Sequence, residues 1–113
     1  MTLSAGKLRH RVTLQEQQTV QDQNTGAVKI EWADVASVWA AVEPLSAREF
    51  IEAAATQASV IARITIRYRP GVRPTMRVRH GDRIYGIEGV LSDKESGLEY
   101  LTLPCSDGPS EGL

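Results

Sequence analysis

Apolar and polar residues alternate along the first part of the chain, which is the pattern of a β-strand buried on one face. Leu8, His10, Val12 and Leu14 fall on one side, and Arg9, Arg11, Thr13 and Gln15 fall on the other. We therefore expect a strand over residues 8–16, with the first set facing the core. The polar stretch that follows, residues 17–26, ends in Asn24-Thr25-Gly26 and predicts the loop of a hairpin.

The returning half of the hairpin keeps the same period. Val28, Ile30 and Trp32 alternate with Lys29 and Glu31, and residues 35–43 are richer in apolar side chains. A β-bulge near Ala33 and Asp34 would join these two segments into one strand, which Pro44 ends. Trp39 lies in the longest unbroken apolar run, residues 38–42. We therefore expect Trp32 or Trp39, or both, to belong to the core.

One helix is predicted between the strands. Ser46-Ala47-Arg48-Glu49 is a capping box, in which the serine oxygen accepts from the third following amide and the glutamate reaches back. Apolar residues follow, so we expect a helix over about residues 47–55.

The second half of the chain returns to a period of two. It predicts strands over residues 60–69, 76–80, 83–90 and 98–103, the last of them stopped by Pro104. Pro70-Gly71, Gly81-Asp82 and residues 92–97 supply the turns. The inward positions of the first two strands are Val60, Ala62, Ile64, Ile66 and Tyr68, then Met76, Val78 and His80.

About six short strands and one helix predict a mainly β fold, a small antiparallel barrel or sandwich. Of the two we adopt a small antiparallel β-barrel of about six strands with one short helix at about 47–55. The 113 residues suit a single domain, which we place at residues 1–105, followed by a flexible tail at 106–113. No apolar run approaches the roughly 20 residues of a membrane-spanning helix. The first seven residues lack the apolar segment of a secretory signal.

Charge is segregated along the chain, although the net charge is only −1. Residues 63–83 carry seven arginines and one aspartate, which gives +6, and residues 1–11 add +3. Residues 12–62 and 84–113 carry −5 each. Five arginines alternate with apolar residues on two predicted strands and should share their outer faces: Arg63, Arg67, Arg69, Arg77 and Arg79. If the two strands are neighbours, five guanidinium groups lie on one sheet surface.

Three interpretations fit such a surface. The arginines can be solvated strand faces, they can bind a polyanion, or they can meet acidic faces of neighbouring copies. Barrels that bind nucleic acid add exposed aromatic rings for base stacking, whereas most aromatic residues here fall on predicted inner faces. We therefore favour subunit contact, and a small nucleic-acid-binding β-barrel that uses the 63–83 arginines is the alternative.

Residue sets suited to catalysis are missing from the sequence. It has no Gly-x-Ser-x-Gly motif, no Walker lysine loop and no Gly-x-Gly-x-x-Gly motif. Cys105 follows the last predicted strand, and His10 and His80 are expected to be hydrogen-bonded at inward positions rather than to act as bases. One cysteine and two histidines offer few metal ligands. We predict no enzyme activity, no cofactor and no metal site.

Short motifs occur in a characteristic order from about Gly6 to about Leu103. They are Gly6-Lys7-Leu8-Arg9-His10-Arg11-Val12, Asn24-Thr25-Gly26, Trp32, residues 38–46, Glu49, residues 64–68, Met76-Arg77-Val78, Tyr85-Gly86-Ile87 and residues 101–105. Each motif is weak alone, but the ordered set resembles the head-tail joining proteins of tailed bacteriophages and prophages, also called head-tail adaptor, head-closure or stopper proteins.

This resemblance implies a β-barrel that forms a ring of copies under the portal of the DNA-filled head, closes the exit channel and joins the head to the tail. The implied partners are further copies, portal or adaptor proteins and tail proteins, with packaged DNA nearby but without sequence-specific contact and with no membrane. The implied location is the head-tail connector of the virion, assembled in the bacterial host cytoplasm. The channel-facing loop of the family corresponds to residues 46–59, with the candidate residues Ser46, Arg48, Glu49, Glu52 and Gln57.

Overall fold

The computed structural model describes residues 7–55 and 59–108. In this part of the chain it has seven strands and one helix. They are β1 (His10–Gln21), β2 (Val28–Pro44), α1 (Ala47–Ala55), β3 (Ala62–Arg67), β4 (Arg77–His80), β5 (Arg83–Ile87), β6 (Leu91–Ser92) and β7 (Tyr100–Asp107). The predicted mainly β fold with one short helix is confirmed, and α1 has the predicted bounds.

All strand pairs are antiparallel, in the order β3-β2-β1-β4-β5-β7-β6. A further ladder joins β3 to β7, from Ala62 opposite Cys105 to Arg67 opposite Tyr100. This ladder closes six of the strands into a ring, and β6 lies beside β7. Closure pairs strand edges that would otherwise be exposed.

The core occupies the inside of this ring. Its buried residues come from every strand of the ring: Val12, Leu14, Ala40, Ala62, Ile64, Ile66, Met76, Val78, Tyr85, Ile87, Leu101, Leu103 and Cys105. The alternation correctly placed Val12, Leu14, Ile64, Ile66 and Val78 on the inner face. Burial of these apolar side chains is the main favourable contribution to closing the ring.

The hairpin of β1 and β2 extends well beyond the ring. β4 pairs with β1 only at Thr13–Gln15, and β3 pairs with β2 only from Ala40 to Pro44. Residues 16–21 of β1 and 28–33 of β2, which pair with each other, therefore form a two-stranded projection, here called the ribbon, in a molecule of 54 × 30 × 23 Å. The predicted loop over residues 17–26 was too long, because Thr19 and Val20 continue the strand in a solvent-exposed ladder and only 22–27 form the turn.

β2 is a single strand with a bulge, as expected. Leu14 lies opposite Ala36 and Gln15 lies opposite Asp34, so Val35 is the extra residue. The bulge is thus one residue beyond the predicted position. It lies where the ribbon leaves the ring, and a bulge at such a point increases the local twist of the strands.

Pro104 does not end the last strand, contrary to prediction. β7 runs through it to Asp107, and the Pro104 carbonyl accepts a hydrogen bond from the Glu88 amide at 2.8 Å. The amide nitrogen and carbonyl oxygen of a strand residue point to the same side. The nitrogen of Pro104, which carries no hydrogen, therefore faces the gap between the part of β7 that pairs with β5 and the part that pairs with β6. No hydrogen bond of strand pairing is lost there.

The C-terminal boundary also differs from prediction. Ser106 and Asp107 pair with Gly86 and Tyr85 of β5, so the sheet continues two residues into the segment expected to be a tail. The last five residues of that segment, 109–113, lie outside the described residues.

Candidate functional site

The five candidate arginines do not share one surface. β3 lies between β2 and β7, whereas β4 lies between β1 and β5. The expected single sheet surface is therefore wrong, because a nine-residue connection, 68–76, separates β3 from β4 and carries the chain to another part of the ring. Arg63 and Arg67 on β3 are separated from Arg77 and Arg79 on β4.

Arg77 is buried, with no exposed surface. Its Nε donates to Gln15 Oε1 at 2.7 Å, and its guanidinium carbon lies 4.2 Å from the centre of the Trp32 ring. Gly86, directly opposite on β5, carries no side chain to occupy this space. The alternation gave the correct face for Arg77, but the base of the ribbon covers that face. Arg77 is therefore not available as an exposed contact residue.

Several other arginines are engaged with nearby groups. Arg63 forms an ion pair with Glu49 at 2.7 Å, and Arg73 forms one with Glu16. Arg79 is exposed, and its Nε donates to the Gly81 carbonyl at 3.3 Å. Local carboxylates thus relieve much of the repulsion that an arginine-rich segment would otherwise cause.

Arg67 and Arg69 lie at a cavity of about 530 Å³, here called the notch. It is lined by Leu8, Arg11, Val38, Trp39, Arg67, Tyr68 and Arg69. The notch forms where β2 continues past the end of β3, since the last pair between these strands is Ala40 with Ile66. The guanidinium carbon of Arg11 lies 5.2 Å from the centre of the Trp39 ring, in cation–π contact.

The aromatic residues of the notch are exposed, which corrects two predictions. Trp39 is 54% exposed, although Trp32 or Trp39, or both, were expected in the core. Tyr68 is 38% exposed, although it was expected on the inner face of its strand. The apolar run 38–42 covers both faces of β2, and Ala40 takes the inner face. Trp39 pairs with Arg11 on the outer face, beyond the end of β3. Trp32 is half-buried against Arg77.

Four of the five candidate channel-loop residues lie together at the start of α1. The Glu49 amide donates to Ser46 Oγ and the Ser46 amide donates to Glu49 Oε1, both at 3.2 Å, which confirms the capping box. Hydrogen bonds to the carboxylate from the Ser46 amide and then from the Ser46 side chain, with a smaller contribution from Arg63, lower the pKa of Glu49. Arg48 and Glu52 form an exposed pair at 3.3 Å. Gln57 lies outside the described residues.

Cys105 lies in the core with no exposed surface, and its Sγ donates to the Leu103 carbonyl at 3.2 Å. Burial, with a contribution from the Glu88 carboxylate, raises the pKa of the thiol to about 12. A thiol in such a setting is not a nucleophile at neutral pH.

His10 and His80 contact each other at an edge of the ring of strands, with ring centres 5.0 Å apart. His10 lies opposite the inner-face residue Ala40, on the expected face, but it is exposed, and His80 is half-buried. His10 is the first residue of β1, and His80 is the last residue of β4. Residues 7–55 and 59–108 contain no group of three or more potential metal ligands. No helix in these ranges has the length and apolar character needed to cross a membrane.

Comparison with known proteins identifies a family. The model of the phage head completion protein family matches residues 3–108. The solution structure of protein SF1141 from Shigella flexneri 2a is similar, with 30% identity, a TM-score of 0.74, and coverage of 96% of this chain and 100% of that one. A chain from the virion of a native gene transfer agent particle shares the fold at 22% identity and a TM-score of 0.54, over 88% of this chain and 96% of that one. A search among curated proteins found no match.

Proposed function

Because the chain belongs to the phage head completion protein family, we propose that this phage head structural protein joins the portal of the DNA-filled head to the tail. In this proposal several copies form a ring that closes the exit channel of the head. The observation that carries the proposal is the family match over 106 of the 113 residues, 3–108.

The exposed parts of the fold support a role in assembly. The ribbon projects from the ring of strands and leaves Val28 and Ile30 exposed. Helix α1 exposes Phe50 and Ile51. An isolated two-stranded hairpin is only marginally stable in water. Apolar residues on such projections are typical of surfaces that become covered when partners assemble.

We assign the candidate residues to two regions. The first region is α1 and the residue before it, at the end of the ring of strands where β3 begins; it contains Ser46, Arg48, Glu49 and Glu52. We propose that this segment faces the channel. Arg67 and Arg69 lie at the other end of β3 and form the proposed subunit contact. Arg63 is paired with Glu49 beside the α1 segment, Arg79 lies on β4 away from this contact, and Arg77 acts from inside the fold.

We propose that the protein acts by binding and not by catalysis. In support, the thiol of Cys105 is buried and held protonated, and the paired histidines lie at the edge of the ring of strands. Neither group is joined to a cavity with an activating partner in the described residues.

Deletion and complementation of the gene in its phage or prophage host tests the function. Without the protein, we expect lysates to contain DNA-filled or partly emptied heads without tails, and the wild-type gene should restore tailed particles. Electron microscopy counts the two kinds of particle, and mass spectrometry should detect the protein in purified tailed particles. Normal numbers of tailed, infectious particles after deletion would refute the proposal.

A further inference from the structure

The notch combines exposed aromatic rings with three arginines. Within the described residues, Arg11, Arg67 and Arg69 form no ion pair with a carboxylate. Beneath the notch, Leu8 packs with Ala41 and Tyr100 in a small buried cluster, and the guanidinium of Arg67 lies 5.9 Å from the Tyr100 ring centre. Tryptophan, tyrosine and arginine are the residues that most often dominate the binding energy of protein interfaces.

The segment 92–99, here called the acidic loop, has the opposite character. Asp93, Glu95 and Glu99 outweigh Lys94, which gives a net charge of −2. Leu98 is 66% exposed within this loop, next to Glu99. A leucine flanked by carboxylates complements a cavity lined by aromatic rings and guanidinium groups.

The acidic loop is held in one shape by Asp93. Its carboxylate accepts hydrogen bonds from the backbone amides of Ser96 and Glu99, both at 2.9 Å, and of Gly97 and Tyr100, both at 3.2 Å. Gly97 adopts a φ of +72°, a conformation that other residues rarely take. A loop that is already ordered loses little conformational entropy when it binds.

The acidic loop does not enter the notch of its own chain, since no residue of 92–99 lines it. The notch is built from β2 and the end of β3, and the loop connects β6 to β7. β7 lies between β3 and β6 in the sheet, and the end of the loop adjoins the notch of its own chain without filling it, since the Tyr68 amide donates to the Glu99 carbonyl at 2.9 Å. Each remains available for a neighbouring copy.

We propose that the notch of one copy binds the acidic loop of the next copy, with Leu98 against Trp39 and Tyr68 and with the loop carboxylates facing Arg67 and Arg69. The contact is head-to-tail: each copy turns its notch to one neighbour and its acidic loop to the other, so the contact can continue around a ring of copies. Two copies that exchanged both contacts with each other would instead form a closed dimer. This inference rests on the proposed ring of copies and identifies the two surfaces through which neighbouring copies contact each other.

Exposed Trp39 and Tyr68 beside three arginines are also features of single-strand nucleic-acid sites. The surroundings argue against that ligand. The Glu99 carbonyl bonds to the Tyr68 amide at 2.9 Å, and Glu43, Glu95 and Glu99 line the adjoining cavity. A phosphate backbone leaving the notch in that direction would pass these carboxylates, whereas a short loop ends within the notch.

Cross-linking in assembled particles tests the contact directly. Cys105 is buried, so an engineered pair of cysteines provides the reactive thiols. The variant Arg69→Cys/Lys94→Cys places one thiol at the notch and one on the acidic loop, and it is supplied by complementation before treatment with a short bis-maleimide. We expect a ladder of cross-linked multimers. The matched control Arg79→Cys/Lys94→Cys moves the first thiol to β4 and should give about tenfold less product or lower still.

Two further experiments identify which side chains form the contact and whether the contact runs in one direction. Adding Trp39→Ala or Arg67→Glu to the cross-linking variant should reduce the ladder about tenfold. Mixing the purified single variants Arg69→Cys and Lys94→Cys at high concentration should give dimers only, because each copy then carries one reactive surface.

Three results would overturn the inference. They are equal ladders from the test and control pairs, products that stop at dimers in particles of the double variant, and a ladder that Trp39→Ala leaves unchanged. Salt-sensitive binding of a labelled single-stranded oligonucleotide that blocks cross-linking would instead assign the notch to nucleic acid. If particles complete normally and no ladder forms, this contact is wrong and the proposed function stands. If deletion of the gene leaves head completion intact, the proposed function fails independently.

Discussion

The guanidinium of Arg77 lies between the Trp32 ring and the Gln15 amide, at the point where the ribbon leaves the ring of strands. Gln15 donates in turn from Nε2 to Asp34 Oδ1 at 2.7 Å, beside the bulge in β2. These contacts link β4, β1 and β2. A buried charge is tolerated only when hydrogen bonds satisfy it, so the position of the ribbon base is tied to the position of Arg77.

Arg77→Ala should reduce the free energy of unfolding by about 3 kcal/mol, because it leaves a cavity under Trp32 and removes the donor to Gln15 Oε1. Urea denaturation followed by tryptophan fluorescence measures this loss. Arg79→Ala is the matched control, since Arg79 is exposed on the same strand, and its effect should stay within about 0.5 kcal/mol. Equal effects of the two substitutions would show that burial of Arg77 contributes nothing to stability.

Arg77 and Trp39 show that a strand pattern does not predict whether a side chain is exposed. A period of two assigns neighbouring residues to opposite faces, and it did so correctly for Arg77, whereas the core position expected for Trp39 was wrong. It does not reveal whether another segment covers the outer face. The ribbon base covers Arg77, and β3 ends before it can flank Trp39. Both outcomes depend on where distant strands end, which local sequence does not encode.

At the scale of single elements, α1 was predicted with its observed bounds because its start is encoded locally. Ser46 and Glu49 bond reciprocally within four residues of each other. The helix has little other support, since Phe50 and Ile51 are exposed. Helices of this length are marginal on their own in water, so the capping box should determine how fully α1 forms.

Glu49→Ala should reduce the population of α1, because it removes the reciprocal bond to the Ser46 amide and the ion pair with Arg63. Backbone chemical shifts of residues 47–52 report the change. The pKa of Glu49 lies below its ordinary value of 4.5, so this stabilisation is complete above about pH 4.5 and is lost as the pH falls through the lowered pKa.

Glu52→Ala serves as the control on the same helix, because Glu52 pairs only with the exposed Arg48 in the described contacts. It should leave the start of α1 intact and should not alter the acid-induced loss. If both substitutions melt the helix equally, the capping box is not what holds it.

Strands were harder to predict than the helix because their neighbours are far apart in sequence. The segments of β3 and β4 were recognised, but β3 pairs with β2 and β7 instead of β4. Pro104 was read as a strand end, although it faces a gap between two ladders. Whether a proline interrupts a sheet depends on what lies beside it, and that partner is set by the closure of the ring.

For the whole molecule, the β3–β7 ladder is the closing seam of the ring. Cys105 lies in this seam, opposite Ala62 of β3 on one side and Ile87 of β5 on the other. The family resemblance predicted a closed β fold. It did not locate the notch, which exists because β2 extends past the end of β3. Through the resemblance the sequence predicts a closed β fold, but it predicts neither which two strands meet at the seam nor the outer surfaces.

The thiol of Cys105 should make stability depend on pH in the alkaline range. Its pKa is about 12 in the fold and close to the ordinary value of 9.0 in the unfolded chain. Between these values the unfolded state has lost the proton that the folded state keeps. The free energy of unfolding therefore falls as pH rises above about 9, by at most about 1.4 kcal/mol per pH unit, and the contribution is fully present below that pH.

Cys105→Ala isolates this effect from the other groups that titrate at high pH. The variant lacks the thiol but keeps the seam pairing, so its stability should fall less steeply than that of the wild type above about pH 9. Urea denaturation at a series of alkaline pH values measures both slopes. A gap between the two proteins that narrows with rising pH is the expected result, because only the wild type loses the stabilisation of a protonated buried thiol. A gap that stays constant would mean that Cys105 ionises as easily in the folded protein as in the unfolded chain, and that the seam is open to solvent.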